Sequence, residues 1–293
     1  MIARRGEACA AEIPRTLAAT GTIPPQRDDG ARGRAMPDLL YEKFDHYAVF
    51  TMNRPERLNA LGGSLRAEQA EALNDFTADV EMRVGIVTGA GRAFSAGMDL
   101  KEAAERVSGG QSAAGTAFDG QIMPHPYGSN PKPFIAAING LAVGGGLETA
   151  LGCDIRIMST DAYVGLYEAK RGIIPGPGLH LLPRLIGLSG ASQLLLTADR
   201  VDPEQALQWG IVTEVVEPDQ LMPRAIELAQ MIASNAPLSV AATKAQIQHW
   251  STADLANSFR LYQWIADKVF SSEDSKEGPT AFAEKRTPHW VGR

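Results

Sequence analysis

Cysteine is scarce in this chain of 293 residues, which contains only Cys9 and Cys153. The two lie far apart and lack the spacing of metal ligands, so the sequence predicts neither a disulfide framework nor a metal site and favours a reducing cytoplasm. No apolar run reaches the roughly 18 to 20 residues that a membrane-spanning helix needs. We therefore expect a soluble cytoplasmic protein with no membrane partner.

An excess of positive charge is also missing, since the formal net charge is −6. This balance argues against nucleic acid as the main ligand. The glycine-rich loops match neither a dinucleotide fingerprint nor a phosphate-binding G-x-x-x-x-G-K-[ST], which leaves nucleotide triphosphate chemistry with little support. The segment "AFSAG" around Ser95 has Ala93 where a nucleophile elbow requires glycine, which disfavours a serine hydrolase.

Composition divides the chain into three parts. Residues 1–35 hold six arginines, four acidic residues and no apolar periodicity, which predicts a disordered N-terminal extension. Met36 as the true initiator is one alternative, and a transit peptide is a weaker one because of the acidic residues. Residues 36–236 are predicted to form the core with the functional site, and residues 237–293 a helical C-terminal region. The aromatic residues of that region either pack against a neighbouring chain or cover the core of their own chain.

Strands and helices alternate from Tyr47 onward, which predicts an α/β architecture with crossover connections. The predicted strands are "YAVFTMN", "VGIVTGAG", "KPFIAAING", "IRIMST" and "AYVGLYE". Helical patterns cover Ser64–Val80, "DLKEAAERV" and "GGLETALGCD". From Ser189 we expect helices in succession, separated by turns at the X-Pro pairs of residues 202–203, 217–218 and 236–237.

Two glycine-rich loops each follow a buried strand and raise the question of a site. They are "GAGRAFSAGMDL" after "VGIVTG" and "GLAVGGGLE" after "FIAAING". A helix start leaves its first backbone N–H groups unpaired, and glycine allows a ligand to approach them. Two such loops together would supply two donors to one oxygen, which is the design of an oxyanion hole. For either loop alone, a plain strand-to-helix turn is the simpler interpretation.

Two glutamates accompany these loops. Glu148 lies two residues after Gly144-Gly145-Gly146, in the first turn of the predicted helix, and Glu168 lies twenty residues later, after a predicted strand. Glu148 could simply favour its helix N-terminus, and Glu168 could pair with a neighbouring cation. Two carboxylates in one partly apolar pocket, however, can have their pKa values driven apart to give one acid and one base.

The motifs together resemble the enoyl-CoA hydratase/isomerase (crotonase) family. The resemblance rests on "RAFSAGMDLKE", "KPFIAAINGLAVGGGLETALGCDIRI", "GIIPGPG" and "EGPTAFAEKR", in that order. It implies a spiral of ββα units with a helical C-terminal trimerisation region, hence a homotrimer or hexamer. It also implies an acyl-CoA thioester substrate whose oxygen is held by the amides of Ala96 and Gly145. Substrate contacts are expected from Ala96, Gly97, Met98, Asp99 and Gly145, and no cofactor is expected because CoA belongs to the substrate.

The paired glutamates imply an enoyl-CoA hydratase, in which Glu148 and Glu168 hold a water against a trans-2-enoyl thioester. A carnitinyl-CoA dehydratase-like enzyme, an enoyl-CoA isomerase and an acyl-CoA-binding scaffold without turnover are the alternatives. Phe118 and Tyr127 are candidates for a cation cage or for an apolar acyl pocket. Lys132, Lys285 and Arg57 are candidate contacts for the CoA phosphates, or else solvated surface charges.

Overall fold

The structure is a computed structural model that describes residues 36–110, 125–250 and 254–293, except for the side chain at position 250. The predicted extension, residues 1–35, therefore lies outside the described residues. Within the described ranges, no helix combines the length and the apolar character that crossing a membrane requires.

The strands of the described ranges form two sheets. They are β1 (Leu39–Lys43), β2 (Tyr47–Met52), β3 (Val84–Gly89), β4 (Ala93–Ser95), β5 (Phe134–Ile138), β6 (Leu141–Val143), β7 (Ile155–Ser159), β8 (Val164–Gly165) and β9 (Glu214–Val216). The large sheet has the order β1-β2-β3-β5-β7-β9, and the small sheet has the order β4-β6-β8. The β1–β2 pair is antiparallel, and all the other pairs are parallel.

Helices connect and cover these sheets. They are α1 (Leu65–Ala78), α2 (Leu100–Ser108), α3 (Pro126–Ser129), α4 (Gly145–Leu151), α5 (Gly178–Thr197), α6 (Pro203–Trp209), α7 (Leu221–Ala233), α8 (Pro237–Trp250), α9 (Leu255–Phe270) and α10 (Asp274–Glu284). Asp99 and Asp202 illustrate how the sequence sets helix starts, because each carboxylate accepts backbone N–H groups at the first turn of α2 or α6.

The repeating unit of the fold is two strands followed by a helix. The segments β3-β4-α2, β5-β6-α4 and β7-β8-α5 each give one strand to the large sheet, one to the small sheet, and then a helix. Parallel neighbours require such crossovers, because a tight hairpin can join only antiparallel strands. This arrangement confirms the predicted spiral of ββα units. It also places the ends of the small-sheet strands β4, β6 and β8 next to one another.

Apolar packing explains why the central strands are buried on both faces. Alternate residues of β2 face opposite ways, with Phe50 in the larger core cluster and Val49 in the smaller one. The larger cluster joins both sheets to α1, α4 and α5, and its centre holds the rings of Phe50, Phe76, Phe134 and Tyr127. The smaller cluster is closed by apolar residues of α7.

The structure corrects four sequence expectations. Each of the two predicted glycine-rich loops contains a short strand, β4 in the first and β6 in the second. Strand β1 was missed because most of its residues are half-buried and it lacks a clean two-residue alternation. The region after Ser189 is not purely helical, since it contains the short strand β9, and α5 already begins at Gly178. The predicted strand "AYVGLYE" shrinks to the two residues of β8, and Glu168 lies instead in a 3₁₀ turn.

The C-terminal helices begin at Pro237 and leave much apolar surface uncovered in the single chain. Lys244 ties α8 to the core, because its buried ammonium donates to Asp154 at 2.8 Å and to the carbonyls of Tyr127 and Lys132. Large exposed apolar side chains follow on α9 and α10: Leu255, Phe259, Tyr262, Trp264, Phe270 and Phe282. The division of the chain at residues 236 and 237 stays a prediction.

Candidate active site

The site lies where the three strands of the small sheet end. Strands β4, β6 and β8 are parallel neighbours, so the residues that follow them meet at one edge. The Gly144 amide donates to the Gly165 carbonyl at 2.9 Å, which holds the second and third strand ends together. The Gly97 loop lies against the second strand end, since a Cβ built at Gly97 would meet the Gly145 nitrogen at 2.8 Å.

Two backbone amides at this edge are available to a ligand. Neither Met98 nor Gly145 donates its N–H to another described residue. A Cβ built at Gly145 would lie 3.8 Å from the Met98 nitrogen, so the two amides belong to one small region. Gly145 is the first residue of α4, where an N–H has no partner inside its own helix.

The structure contradicts the expectation that the Ala96 amide is available to bind the thioester oxygen. The Ala96 amide donates to the Leu58 carbonyl at 2.9 Å, so its hydrogen is already engaged inside the protein. Met98 was expected only as a further substrate contact, and it is the Met98 amide that has no partner among the described residues. Gly97 lies between the two residues with a φ of +78°, so the backbone does not continue as an extended strand from Ala96 to Met98, and the sequence alone does not show which amide points inward.

Gly97 is required by the backbone at the centre of the loop. Its φ is +78°, a region that residues with a Cβ rarely adopt, and an added Cβ would meet the Val143 carbonyl at 2.7 Å. Asp99 then ends the loop as the N-cap of α2, with Oδ1 accepting the amides of Lys101 and Glu102. The predicted substrate contacts of residues 96–99 thus form one continuous loop, which we call the channel loop, and the fold allows this loop only with glycine at position 97.

Glu148 lies in the first turn of α4 and points toward the start of another helix. Its Oε1 accepts the Gly178 amide at 2.9 Å, and the amide of Gly176 also favours its ionised form. Desolvation by burial is nonetheless the larger effect, and it raises the pKa of Glu148 above the ordinary value for glutamate.

Glu168 is a buried residue, with 9% of its surface exposed, whereas Glu148 as a residue is half-buried. Its Oε2 is buried without a hydrogen-bond partner, and its Oε1 would lie 3.2 Å from a Cβ built at Gly144. Burial raises the pKa of Glu168, and the nearby charge of Glu148 raises it further. The two predicted glutamates are therefore electrostatic neighbours beside the free amides, whereas the pairing of Glu168 with a cation is not observed among the described residues.

Several peripheral candidates are placed elsewhere. The ammonium of Lys132 donates to the carbonyls of Phe76 and Asp79 at 2.6 Å each, so it supports the fold rather than meeting a CoA phosphate. Tyr127 is 1% exposed within the aromatic core, so it forms no cation cage and no pocket wall. Phe118 lies outside the described residues.

Arg57 lies beside the loop of residues 96–99, whereas Lys285 lies at the end of the last helix, and both stay predicted contacts for the CoA phosphates. The guanidinium of Arg57 is 41% exposed and lies 3.6 Å from Asp99, at the edge of the channel loop. Lys285 is the exposed C-cap of α10, the last helix.

Sequence reasoning missed the supports of the site. The Gly178 amide, which holds Glu148, lies thirty residues from it in sequence, although "GPG" before a helix is a signal for a helix start. Ser95 was weighed only as a nucleophile. Its buried hydroxyl instead donates a hydrogen bond to the Asn59 carbonyl at 2.7 Å and accepts one from the Gly97 amide at 3.2 Å.

Comparison with known proteins agrees with this arrangement. A sequence profile described as enoyl-CoA hydratase/isomerase matches residues 44–293. The chain therefore belongs to the enoyl-CoA hydratase/isomerase family, as the motifs indicated.

Similar proteins cover nearly the same length. A carnitinyl-CoA dehydratase of Citrobacter koseri is 41% identical over 255 residues, 83% of this chain and 94% of that protein. A short-chain-enoyl-CoA hydratase of Clostridium acetobutylicum is 39% identical over 253 residues, 85% of this chain and 95% of the relative. Among solved structures, an enoyl-CoA hydratase of Bacillus anthracis superimposes with a TM-score of 0.80 at 37% identity, covering 88% of this chain and 100% of its own.

Proposed function

We propose that this protein is an enoyl-CoA hydratase, a lyase that adds water reversibly to the double bond of a trans-2-enoyl-CoA thioester. The observation that carries the proposal is the placement of two glutamates with raised pKa values, one half-buried and one buried, beside two backbone amides that have no partner among the described residues. The two carboxyl groups suit proton transfer, and the two amides suit the binding of a negatively charged oxygen. The names of the relatives support the same reaction class.

The amides of Met98 and Gly145 would bind the thioester oxygen. When water adds to Cβ, the electrons of the double bond move toward the thioester and place negative charge on that oxygen. Fixed N–H donors that need no reorganisation stabilise this charge more than they stabilise the neutral carbonyl. This pairing replaces the predicted use of Ala96, whose amide is occupied.

The surroundings of the two glutamates suggest their roles. Glu148 accepts a backbone N–H, which favours the ionised form and suits a general base. Glu168 is buried, has a carboxyl oxygen without a hydrogen-bond partner and lies near the charge of Glu148, all of which favour its protonated form. Glu148 would take a proton from the water molecule as the water oxygen bonds to Cβ of the substrate. Glu168 would give its own proton to Cα. One proton must then pass from Glu148 to Glu168, directly or through solvent, before the next turnover.

The acyl group is a narrower question that the relatives' names leave open. Among similar proteins are a carnitinyl-CoA dehydratase and, from Thauera aromatica, an (E)-benzylidenesuccinyl-CoA hydratase, which is 41% identical over 260 residues, 88% of this chain and all of the relative. Among the described residues, Tyr127 offers no cation cage for the first of these substrates, because it lies in the core. We therefore favour a plain enoyl chain, with Arg57 as the candidate contact for CoA phosphate.

The test is the loss of the enoyl-thioester absorbance when the purified protein meets crotonyl-CoA, with crotonobetainyl-CoA measured alongside. Glu148→Gln and Glu168→Gln serve as variants that preserve size. We expect rapid loss with crotonyl-CoA, a fall in kcat of about 10² to 10⁴ in each variant, and retained thioester binding. Tight binding of both thioesters without any loss of absorbance would refute hydration and favour a scaffold or another reaction.

Two broader proposals concern the assembly and location of the protein. The exposed apolar side chains of α9 and α10 form more uncovered surface than a monomer usually presents, and they support a homotrimer or a hexamer. Light scattering on the purified protein distinguishes these states from a monomer. The buried free thiol of Cys153 and the low cysteine content support a cytoplasmic location.

A further inference from the structure

Arg54 is a buried charged residue that the proposed chemistry does not use. It is 7% exposed and lies in the segment "NRPERLNAL", which runs beside the channel loop. Its Nη1 donates to the Ala60 carbonyl at 2.7 Å, and its Nη2 donates to Glu102 at 2.9 Å and to Asp99 at 3.3 Å. One guanidinium thus holds both the segment and the loop.

The Ala60 carbonyl belongs to the same peptide group as the Leu61 amide. That amide donates to the Gly97 carbonyl at 2.7 Å. The Gly97 carbonyl in turn belongs to the same peptide group as the Met98 amide. In a planar trans peptide the C=O and the N–H point in opposite directions, so each bond to a carbonyl fixes the direction of the next N–H.

We propose that Arg54 is a positioning residue for the thioester site, acting on the Met98 amide through the Ala60–Leu61 and Gly97–Met98 peptide groups. We call this chain of two hydrogen-bonded peptides the peptide relay. Hydrogen bonds in such a chain polarise one another, and the cation at the far end strengthens the last N–H as a donor. The inference rests on the proposed function, because Met98 must face the thioester oxygen.

Other contacts keep the relay in one conformation. Asn59 Oδ1 accepts the Arg54 amide at 2.9 Å, and its Nδ2 donates to the carbonyls of Ala90 and Ala93 at 2.9 and 2.7 Å. Asp99, Glu102 and Asp38 lie within 3.8 Å of the guanidinium and neutralise part of its charge. The main effect of Arg54 is therefore to orient the two peptides, with polarisation as a smaller contribution.

The test compares Arg54→Met, which removes the charge and the donors, with Arg54→Lys, which keeps the charge on a single donor group. The direct readout is the absorption band of bound cinnamoyl-CoA, a conjugated thioester whose band moves to longer wavelength when its carbonyl is polarised. We expect Arg54→Met to lose most of this band shift. We also expect its kcat for crotonyl-CoA to fall about tenfold with little change in KM, because the Met98 amide is weakened as a donor while the Gly145 amide is unaffected. Arg54→Lys should fall between this variant and the unmodified protein.

Arg156→Met is the matched control for loss of a buried arginine. Arg156 is 8% exposed and donates to the carbonyls of Ile211 and Cys153 at 2.6 Å each, outside the relay. It should lower the melting temperature without moving the cinnamoyl-CoA band. The inference fails if Arg54→Met keeps the full band shift and kcat, or if Arg156→Met loses the shift equally.

Two further outcomes separate this inference from the proposed reaction. If Arg54→Met does not fold, as judged by circular dichroism, a folded Arg54→Lys variant with the full shift and kcat overturns the inference. If the unmodified protein shifts the cinnamoyl-CoA band but does not hydrate crotonyl-CoA, the proposed reaction fails. The relay is then still supported if the band shift is lost in Arg54→Met.

Discussion

The Gly178 amide donates a hydrogen bond of 2.9 Å to Oε1 of Glu148, which joins the start of α5 to the first turn of α4. This bond fixes one oxygen of the carboxylate that we propose as the base. The proposed base is therefore oriented by a helix start thirty residues away in sequence.

Gly178→Ala should disturb that orientation. A Cβ at this position would meet Leu166 Cδ1 at 2.8 Å and Glu148 Oε1 at 3.2 Å, so the carboxylate or the start of α5 must shift. We expect kcat for crotonyl-CoA to fall by about tenfold or more with a smaller change in KM, because a misplaced catalytic group acts mainly on the chemical step. Steady-state kinetics measures both constants, and an unchanged kcat would show that the bond does not position Glu148.

Gly97→Ala should damage both amides of the proposed oxyanion site at once. The substitution places a Cβ at a φ of +78° and within 2.8 Å of the Gly145 nitrogen. Loss of one such donor costs about 10² to 10³ in kcat, so we expect a loss of at least that order. The assay is hydration of crotonyl-CoA, with circular dichroism to verify folding. A folded variant with normal kcat would contradict the assignment of this loop.

Glu168→Gln should make the protein more stable while it abolishes turnover. Because burial raises the pKa of Glu168, ionising the group in the folded state has an unfavourable free energy. The free energy of unfolding therefore falls as pH rises from the ordinary glutamate pKa through the raised one. The glutamine side chain of the variant does not ionise, so the variant does not lose this stability. We expect a higher melting temperature for the variant at neutral pH and no gain at low pH, where both forms are uncharged. A lower melting temperature at neutral pH would contradict the prediction.

The pH profile of kcat/KM should be bell-shaped. Its rising limb reports ionisation of the base and its falling limb deprotonation of the acid, and the apparent values belong to the pair rather than to one residue. Because the pKa values of Glu148 and Glu168 are both raised, both limbs should lie above the ordinary value of 4.5. Initial rates across the pH range provide the measurement. A profile that stays flat above 4.5 would show that no carboxyl group of raised pKa controls the reaction.

Patterns of apolar residues predicted the frame of the fold well. The buried strand Val84–Gly89 and the helix Leu65–Ala78 carry continuous or periodic apolar residues, and both form where expected. The edge strand Leu39–Lys43 is half-buried and shows no such pattern, so only its pairing with Tyr47–Met52 reveals it.

The candidate site was predictable by residue type but not by hydrogen-bond direction. Glycine runs and paired glutamates pointed to this region, and the resemblance to the enoyl-CoA hydratase/isomerase family assigned roles to Gly145, Glu148 and Glu168. Choosing between Ala96 and Met98 needed the directions of two amides, which depend on the neighbouring segment through Leu58 and Leu61. Contacts between segments distant in sequence leave no local signal, and Arg54 and Gly178 were missed for that reason.

The most direct test of the central claim is hydration of crotonyl-CoA in water labelled with heavy oxygen, followed by mass spectrometry of the product. The account predicts label in the hydroxyl group on the β-carbon for the unmodified protein, and almost none for Glu148→Gln or Glu168→Gln over the same time. A product with a shifted double bond and no label, or an unlabelled thioester that is bound but unchanged, would contradict the account.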